Sequence, residues 1–195
     1  FVFYEILQKL IFLNTKTRKD QIIKISAKLF KEKGYSAVTM RDIAKALDMK
    51  AASLYNHIAS KQDILKYVII SIAEEFTNAM NTIHASSESS IHKLHQIISL
   101  HVNIAYTNPY EMASLNNHWM HLEKDYLELR DSYEDNFRSI IKSGIASGEL
   151  SNANSEVVLF SILSTLRNLY LWIPKKEEVD PDELSKNLSQ TLIHG

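Results

Sequence analysis

The chain has 195 residues, a length that suits one large domain or two small ones. Its 45% hydrophobic and 23% charged residues exclude wholesale disorder, and its four glycines and three prolines favour a helical protein over a sheet-rich one. Cysteine is absent from the sequence, which excludes disulfides, thiolate zinc sites and cysteine nucleophiles.

The net charge of −1 conceals an uneven distribution. Residues 1–66 contain thirteen Lys and Arg against six Asp and Glu, whereas residues 67–195 contain nine against seventeen. A basic segment joined to an acidic one is typical of a protein that meets a polyanion with one part of its chain. A random imbalance of surface charge gives the same pattern, so charge alone leaves both interpretations open.

The first segment, Phe1–Leu13, is apolar with helical spacing. It is too short to span a bilayer, which takes about 20 residues, and it lacks the basic start and small-residue cleavage site of a signal peptide. We expect residues 1–16 to form an extension that packs on the body of the protein or on a neighbouring chain. No function is assigned to it.

Four helices with marked ends are predicted next. The first stops at Gly34, a residue that tolerates the left-handed conformation after a helix. The second begins at Thr39 and the fourth at Ser60, and each of these residues is followed three positions later by an aspartate that can complete a cap. The predicted ranges are Asp20–Lys33, Thr39 to Leu47, Ala51–Ile58, and Ser60 to about His84.

Longer helices follow the polar connector Ala85–Ser90. Pro109 and Pro174 each stop one of them, and Gly148 is placed to cap another. The predicted ranges are Ser90–Thr107, Tyr110–Leu122, Lys124–Ser147, Glu156–Trp172 and Asp182–Ile193. The sequence therefore predicts an all-α protein of about nine helices.

Short helices with tight turns in a basic segment are the layout of a helix-turn-helix DNA reader. A helix that enters the major groove, about 12 Å wide, needs small or polar side chains in its first turns. Ala51–Ser53 supplies small residues, and Leu54 and Ile58 are spaced to point back to a core. Hydrogen-bonding side chains in this helix and just before it are Lys50, Ser53, Tyr55, Asn56 and His57.

Ile22–Leu65, with the sequence IIKISAKLFKEKGYSAVTMRDIAKALDMKAASLYNHIASKQDIL, resembles the TetR/AcrR transcriptional regulators. It follows that family's apolar first helix, Phe-x-x-x-Gly-Tyr turn, Thr cap, Ile-Ala pair, Leu-Tyr-x-His and Ser-Lys. Ala52 stands where the family usually has Gly, Ile58 where it usually has Phe, and Ala51 where many members have a longer polar residue. The resemblance implies an N-terminal three-helix DNA-binding domain and a C-terminal helical domain.

The resemblance also implies roles for individual side chains. Thr39, Tyr55, His57 and Lys61 look like phosphate contacts, although Thr39 could be only a helix cap and Tyr55 mainly a packing residue. Lys50, Ser53 and Asn56 look like contacts to base edges. Asn14–Lys19 is a basic arm that either crosses the DNA backbone or is merely solvated. The full predicted DNA-binding set is Thr39, Arg41, Lys50, Ala51, Ser53, Tyr55, Asn56, His57 and Lys61.

Arg130–Gly148, with Asn168–Trp172 and Pro181–Leu184, resembles more loosely a TetR subclass in which some repressors respond to acyl-CoA thioesters. Members usually have a glycine-containing turn where this chain has Ile173–Glu178. The resemblance implies that the last two helices form a four-helix dimer interface. The predicted interface residues are Val158, Ile162, Leu166, Leu184, Leu188 and Leu192.

A stretch rich in His, Tyr, Asn and Trp lies between the DNA reader and these helices, and such residues are typical of small-molecule pockets. As single residues, each could equally be an ordinary core or surface residue of an amphipathic helix. Met112, Asn116, His118 and His121 belong to the same stretch. The predicted pocket consists of His95, His101, Asn103, Tyr106, Tyr110, Asn117, Trp119, Tyr133, Phe137, Asn168 and Trp172.

Two histidine pairs, His92 with His95 and His118 with His121, have the spacing of metal ligands on a helix. The HExxH motif and the paired Glu-x-x-His segments of di-iron bundles are missing, so we expect neither a metal nor another cofactor. No Ser-His-Asp arrangement, P-loop or glycine-rich dinucleotide turn is present, so we expect no enzymatic activity.

The sequence thus predicts a ligand-responsive transcriptional regulator in the cytoplasm, associated with the nucleoid. Its expected partners are a pseudo-palindromic double-stranded DNA operator, a second copy of the chain and a small hydrophobic or acyl-CoA-like effector, with no membrane partner. The predicted domains are the extension (1–16), a DNA-binding domain (17–66) and a ligand-binding and dimerisation domain (67–195). Two alternatives to a repressor stay open: a helical-bundle metal-binding protein or enzyme with an incidental basic segment, and a DNA-binding activator or constitutive regulator.

Overall fold

The computed structural model describes residues 17–173 and 179–194, and within these ranges the regular elements are helices. A 3₁₀ turn, Trp119–His121, follows the sixth helix, and a π-helical turn, Gln190–His194, follows the last. The α-helices are α1 (Arg18–Lys33), α2 (Met40–Ala46), α3 (Ala51–Tyr55), α4 (Lys61–Ala85), α5 (Ser90–Thr107), α6 (Pro109–His118), α7 (Glu123–Ser147), α8 (Ser155–Arg167), α9 (Leu169–Trp172) and α10 (Pro181–Ser189).

Side-chain caps determine where the first helices begin. Thr17 and Thr39 each form a complete capping box with the aspartate three residues later, at the starts of α1 and α2. Ser60 caps α4 by accepting a hydrogen bond from the backbone N–H of Asp63 at 3.0 Å. The predicted capping signals at Thr39 and Ser60 are therefore confirmed.

The short helices form one small core that rests on the long helix α4. Ile22 and Phe30 of α1, Ile43 of α2 and Leu54 of α3 are fully buried. The first turns of α4 bury Ile64 against this core, and α4 then continues into the C-terminal body, where it packs against α6 and α7. One rigid helix thus belongs both to the N-terminal core and to the body.

Four predicted helix ends differ from the structure. The third helix stops at Tyr55 rather than Ile58, and the helix predicted as Tyr110–Leu122 is α-helical only from Pro109 to His118. The last helix is α-helical only to Ser189. The helix predicted as Glu156–Trp172 is interrupted at Asn168. The side chain of Asn168 donates to the carbonyl oxygen of Ser164 at 2.7 Å, and its backbone N–H donates to the carbonyl oxygen of Thr165 at 3.2 Å. A side chain that takes the i−4 acceptor competes with the helical hydrogen bond.

Gly148 ends α7 with φ +79°, in the left-handed region, as predicted. None of the helices in the described ranges has the length and apolarity that crossing a membrane would need. The predicted extension 1–16 and residues 174–178 of the predicted loop lie outside the described residues.

Candidate DNA reader and effector cavity

The helix α3 is held by one face and leaves the other free. Leu54 is fully buried and Ile58 nearly so, whereas Tyr55 keeps 53% of its surface exposed and Asn56 and His57 are exposed as well. Tyr55 is therefore not mainly a packing residue within this chain. The arrangement presents polar side chains of the reader to the outside, as a helix that enters a DNA groove requires.

The remaining predicted DNA contacts lie in α3 itself or in the segments that precede it along the chain. Arg41 and Lys50 are exposed, while Ala51 and Ser53 are half-buried. The Thr39 hydroxyl donates to the Asp42 carboxylate at 2.6 Å and accepts from the Asp42 backbone N–H at 3.2 Å. The Thr39 hydroxyl and the Thr39 backbone N–H both donate to the Asp42 carboxylate, and these two hydrogen bonds lower the pKa of Asp42. The hydroxyl is thereby occupied as a helix cap.

Lys61 has an internal role that the sequence did not reveal. Its Nζ donates to the carbonyl oxygens of Tyr35 and Val38, both at 2.8 Å, and lies 4.3 Å from the centre of the Tyr35 ring. A third carbonyl, that of Ser36, is 3.5 Å away. Since an ammonium group has three donors, Lys61 fastens the α1–α2 connection to the start of α4 with most of its hydrogen-bonding capacity.

A cavity opens in the body between five helices, α4 to α8. It occupies about 470 Å³ counted with the solvent at its mouth. Most of the lining area is apolar, as in small-molecule sites, with a few polar groups among it. The lining residues are Ala73, Phe76, Thr77, His101, Met112, Leu115, Asn116, Tyr126, Leu129, Arg130, Tyr133, Leu163 and Arg167.

A neutral polar pair lies in the cavity wall. His101 Nε2 is 2.8 Å from the hydroxyl of Tyr133, and the Phe76 ring lies 4.5 Å from the imidazole, centre to centre. Burial, helped by the positive charge of Arg167, lowers the pKa of His101 from 6.5 to about 3, and burial raises the pKa of Tyr133. Both side chains are therefore uncharged at neutral pH.

The cavity contains His101 and Tyr133 of the predicted pocket, together with Met112 and Asn116 from the same stretch. The others are placed elsewhere, because helix register turns them away. Asn103, Asn117, Asn168 and Trp172 are exposed, and Phe137 is buried beside Tyr133. Four more residues of the predicted pocket do not line the cavity. His95 lies next to His194, Tyr110 near Lys31 and Trp119 against Tyr126, and Tyr106 is half-buried.

Sequence reasoning missed Arg130 and Arg167, which bring two guanidinium groups to the cavity wall. Arg167 follows the apolar run of α8, and a cation at the edge of such a run is a signal that could have pointed to it. Arg130 lies in a charged stretch of α7 that reads as solvated surface.

The helix α6 connects the cavity to the N-terminal core, because α1 packs against it. The His118 ring lies 5.7 Å from that of Tyr35, and Lys31 Nζ lies 5.3 Å from the centre of the Tyr110 ring. Glu111 belongs to the same helix and is buried. Burial raises its pKa from 4.5 to about 7; Lys24 of α1 opposes the rise and Glu75 of α4 adds to it.

An apolar surface lies on α8. Val157 is 60% exposed and Phe160 is 71% exposed. Ile162 and Leu166, predicted at a dimer interface, are instead buried inside this chain, so their side chains are not available to a second copy. Of the other predicted interface residues, Val158, Leu184, Leu188 and Leu192 are half-buried against the core.

No three His, Asp or Glu side chains in the described part of the chain come together as metal ligands would. The rings of His95 and His194 are 6.0 Å apart, and His92 and His95 stay a pair on α5. The side chain of His121 lies outside the described residues.

Comparison with known proteins agrees with this architecture. The family profile "Bacterial regulatory proteins, tetR family" matches residues 22–68, and "Tetracyclin repressor-like, C-terminal domain" matches residues 87–195. The HTH-type transcriptional repressor KstR2 of Rhodococcus jostii is 23% identical over 184 residues, 91% of this chain and 90% of KstR2.

Two further matches cover different shares of the chain. The biofilm operon icaADBC HTH-type negative transcriptional regulator IcaR of Staphylococcus aureus is 38% identical over 80 residues, 41% of this chain and 43% of IcaR. The structure of the ketosteroid transcriptional regulator KstR2 of Mycobacterium tuberculosis superposes with a TM-score of 0.85 at 16% identity, covering 93% of this chain and 96% of that one.

Proposed function

Because the chain belongs to the TetR family of bacterial regulatory proteins, we propose that it represses transcription by binding a pseudo-palindromic DNA operator as a homodimer and that a small hydrophobic or acyl-CoA-like effector releases it. It is a transcriptional regulator and not an enzyme. Its place of action is the cytoplasm, on the nucleoid. The domain division proposed is 17–66 for DNA binding and 67–195 for effector binding and dimerisation.

The observation that carries the proposal is the free face of α3. Leu54 anchors the helix, while Tyr55, Asn56 and His57 are exposed beside the exposed Lys50. Asn56 and Lys50 can read base edges in the major groove, and Tyr55 and His57 can donate to phosphates. The excess of Lys and Arg in residues 1–66 supports binding to a polyanion.

Val157 and Phe160 support the homodimer. A symmetric dimer uses the same surface patch of both copies, and exposed apolar side chains on one helix face are suited to such a contact. We therefore assign the interface to the outer face of α8 rather than to Ile162 and Leu166. Two reader helices held about 34 Å apart would meet successive major grooves on one side of the DNA.

Helix α6 offers the route by which an effector acts on the reader. Met112 and Leu115 line the cavity, while His118 contacts Tyr35 of the N-terminal core. An effector that prefers the α6 position of the released dimer shifts the population towards it, whereas equal affinity for both states would shift nothing.

The test is a fluorescence-anisotropy titration with DNA from upstream of the chain's own gene and with unrelated DNA. Asn56→Ala should lower the preference for the operator about tenfold, since a base-edge contact contributes roughly 1–3 kcal/mol. Asn152→Ala is the matched control, because Asn152 is exposed in the α7–α8 connection, outside the reader. Equal affinity of the wild type for both DNAs at low salt would refute the proposal.

A further inference from the structure

The cavity wall is cationic on one side. Arg130 and Arg167 both line it, whereas the carboxylates that pair with them do not belong to the wall. Arg130 donates to Asp131 at 2.9 Å, and Arg167 donates to Glu134 at 2.7 Å. The acidic partners therefore neutralise the arginines from outside the cavity.

The positive charges of Arg167 and Arg130 change the pKa values of buried side chains in the cavity wall. Arg167 helps to keep His101 uncharged, so that Nε2 is held by a neutral hydrogen bond with Tyr133. Burial raises the pKa of Tyr126, and the charges of Arg167 and Arg130 oppose this rise more strongly than Glu134 adds to it. At Tyr126, which lines the cavity, each arginine therefore acts more strongly than Glu134.

The pair formed by Arg130 is easily exchanged. Its partner Asp131 has 62% of its side chain exposed, and such surface pairs contribute little to stability. Arg167 donates one hydrogen bond to Glu134, and its guanidinium group has further N–H donors. A planar anion that enters the cavity can therefore gain hydrogen bonds from guanidinium groups at little cost.

We propose that the cavity binds a small organic acid, with its carboxylate between Arg130 and Arg167 and its apolar body among Phe76, Met112, Leu115 and Leu163. This rests on the proposed function and specifies the class of effector. A carboxylate matches the guanidinium fork in a bidentate manner. The uncharged Tyr133–His101 pair adds polar but neutral side chains to the same wall.

The proposal commits to a free acid rather than a nucleotide-bearing thioester. The wall consists of thirteen residues, of which Arg130 and Arg167 are the charged ones, and this small lining suits a compact acid better than a coenzyme A conjugate. The anionic group is then recognised inside the cavity and not at the protein surface.

Isothermal titration calorimetry on the full chain at pH 7.5 tests this with matched probes: butyrate and butanol, octanoate and octanol, phenylacetate and 2-phenylethanol, and octanoyl-CoA. At least one carboxylate should bind tenfold more tightly than its alcohol. Arg130→Gln should weaken that carboxylate about tenfold or more, since hydrogen bonds to charged groups are the strong ones. Arg138→Gln is the matched control, because Arg138 pairs with Asp135 and Glu156 on the surface and is not in the cavity wall.

Arg167→Gln provides a second variant with the same expectation, and circular dichroism checks that each variant is folded. The inference is overturned if the alcohols bind as tightly as the acids, if only octanoyl-CoA binds, if no probe binds, or if both cavity variants bind like the wild type. DNA titrations separate the two proposals. If the chain binds a carboxylate but not the operator DNA, the proposed function alone is refuted. If it binds the operator DNA but no carboxylate, this inference alone is refuted.

Discussion

Glu111 is a buried carboxyl at the junction of α1, α4 and α6, and its replacement by Gln tests how the two parts of the chain are joined. Glutamine resembles the protonated acid in shape and hydrogen bonding but does not ionise. Burial raises the pKa of Glu111 from 4.5 to about 7 in the folded protein. The folded state therefore holds this proton over a pH range in which the unfolded chain has already released it.

The sign and size of the effect follow from proton linkage. Below pH 4.5 both states carry the proton, and the wild type and the Glu111→Gln variant should be equally stable. As pH rises from 4.5 to about 7, the unfolded state binds fewer protons than the folded one, so the free energy of unfolding falls. Above pH 7 the loss is complete. A shift of this size corresponds to about 3 kcal/mol, so Glu111→Gln should be more stable than the wild type by up to that amount at pH 8.

The assay is urea unfolding followed by circular dichroism at pH 5, 6, 7 and 8, with the chain concentration held constant because the stability of the proposed dimer would depend on it. His101, whose pKa burial lowers to about 3, destabilises the folded state as pH falls below 6.5, but it does so in both proteins and cancels in the difference. Glu74→Gln on the exposed side of α4 controls for the loss of one charge. Parallel pH profiles for the wild type and Glu111→Gln would refute the reasoning.

Three further changes test other parts of the structure. Gly144→Ala should lower the melting temperature, because the added Cβ would lie 2.8 Å from Leu150 Cδ1 and from Ser90 Cβ. Overpacking of that kind costs roughly 1–3 kcal/mol and outweighs the gain in helix propensity of about 1 kcal/mol; an unchanged melting temperature would contradict the close approach. Phe160→Ser should shift the chain from dimer to monomer in sedimentation equilibrium without loss of helicity, whereas an unchanged dimer would place the interface elsewhere. Lys61→Ala should weaken binding to all DNA; a salt dependence reduced by about one ion would indicate a direct phosphate contact, and an unchanged slope would indicate that Lys61 acts only through the Tyr35–Val38 connection.

Helix starts and the reader were predictable because their signals are local. Thr39 and Asp42 are three residues apart, and a capping box needs nothing beyond that spacing and a polar environment. Ile58 lies just after α3 and still donates its backbone N–H to the carbonyl oxygen of Leu54 at 3.2 Å, so this spacing of four residues turns both side chains inward. The ends of helices were less predictable, since the break at Asn168 depends on which acceptor a side chain captures.

The cavity was predictable only in part, because five helices must converge to form it. His101 and Tyr133 are 32 residues apart in the chain, and their hydrogen bond depends on the packing of α5 against α7. The aromatic and amide residues between them indicated the right segment but not which side of each helix turns inward. Arg130 and Arg167 are charged, and charge on a helix normally indicates the solvent side, so the lining arginines were overlooked.

The proposed dimer surface on α8 shows why a helix with two apolar faces cannot be interpreted without the tertiary structure. Val157, Phe160, Ile162 and Leu166 are all apolar residues of one helix, and periodicity treats them alike. Packing against α7 and α5 decides that Ile162 and Leu166 complete the core, which leaves Val157 and Phe160 outside. An exposed aromatic side chain on a rigid helix buries a large apolar area when it packs against the same side chain of a second copy. The same helix also reaches the cavity, because Leu163 of α8 lines it. A molecule that fills the cavity and a second copy that packs on the outer face would therefore both contact α8.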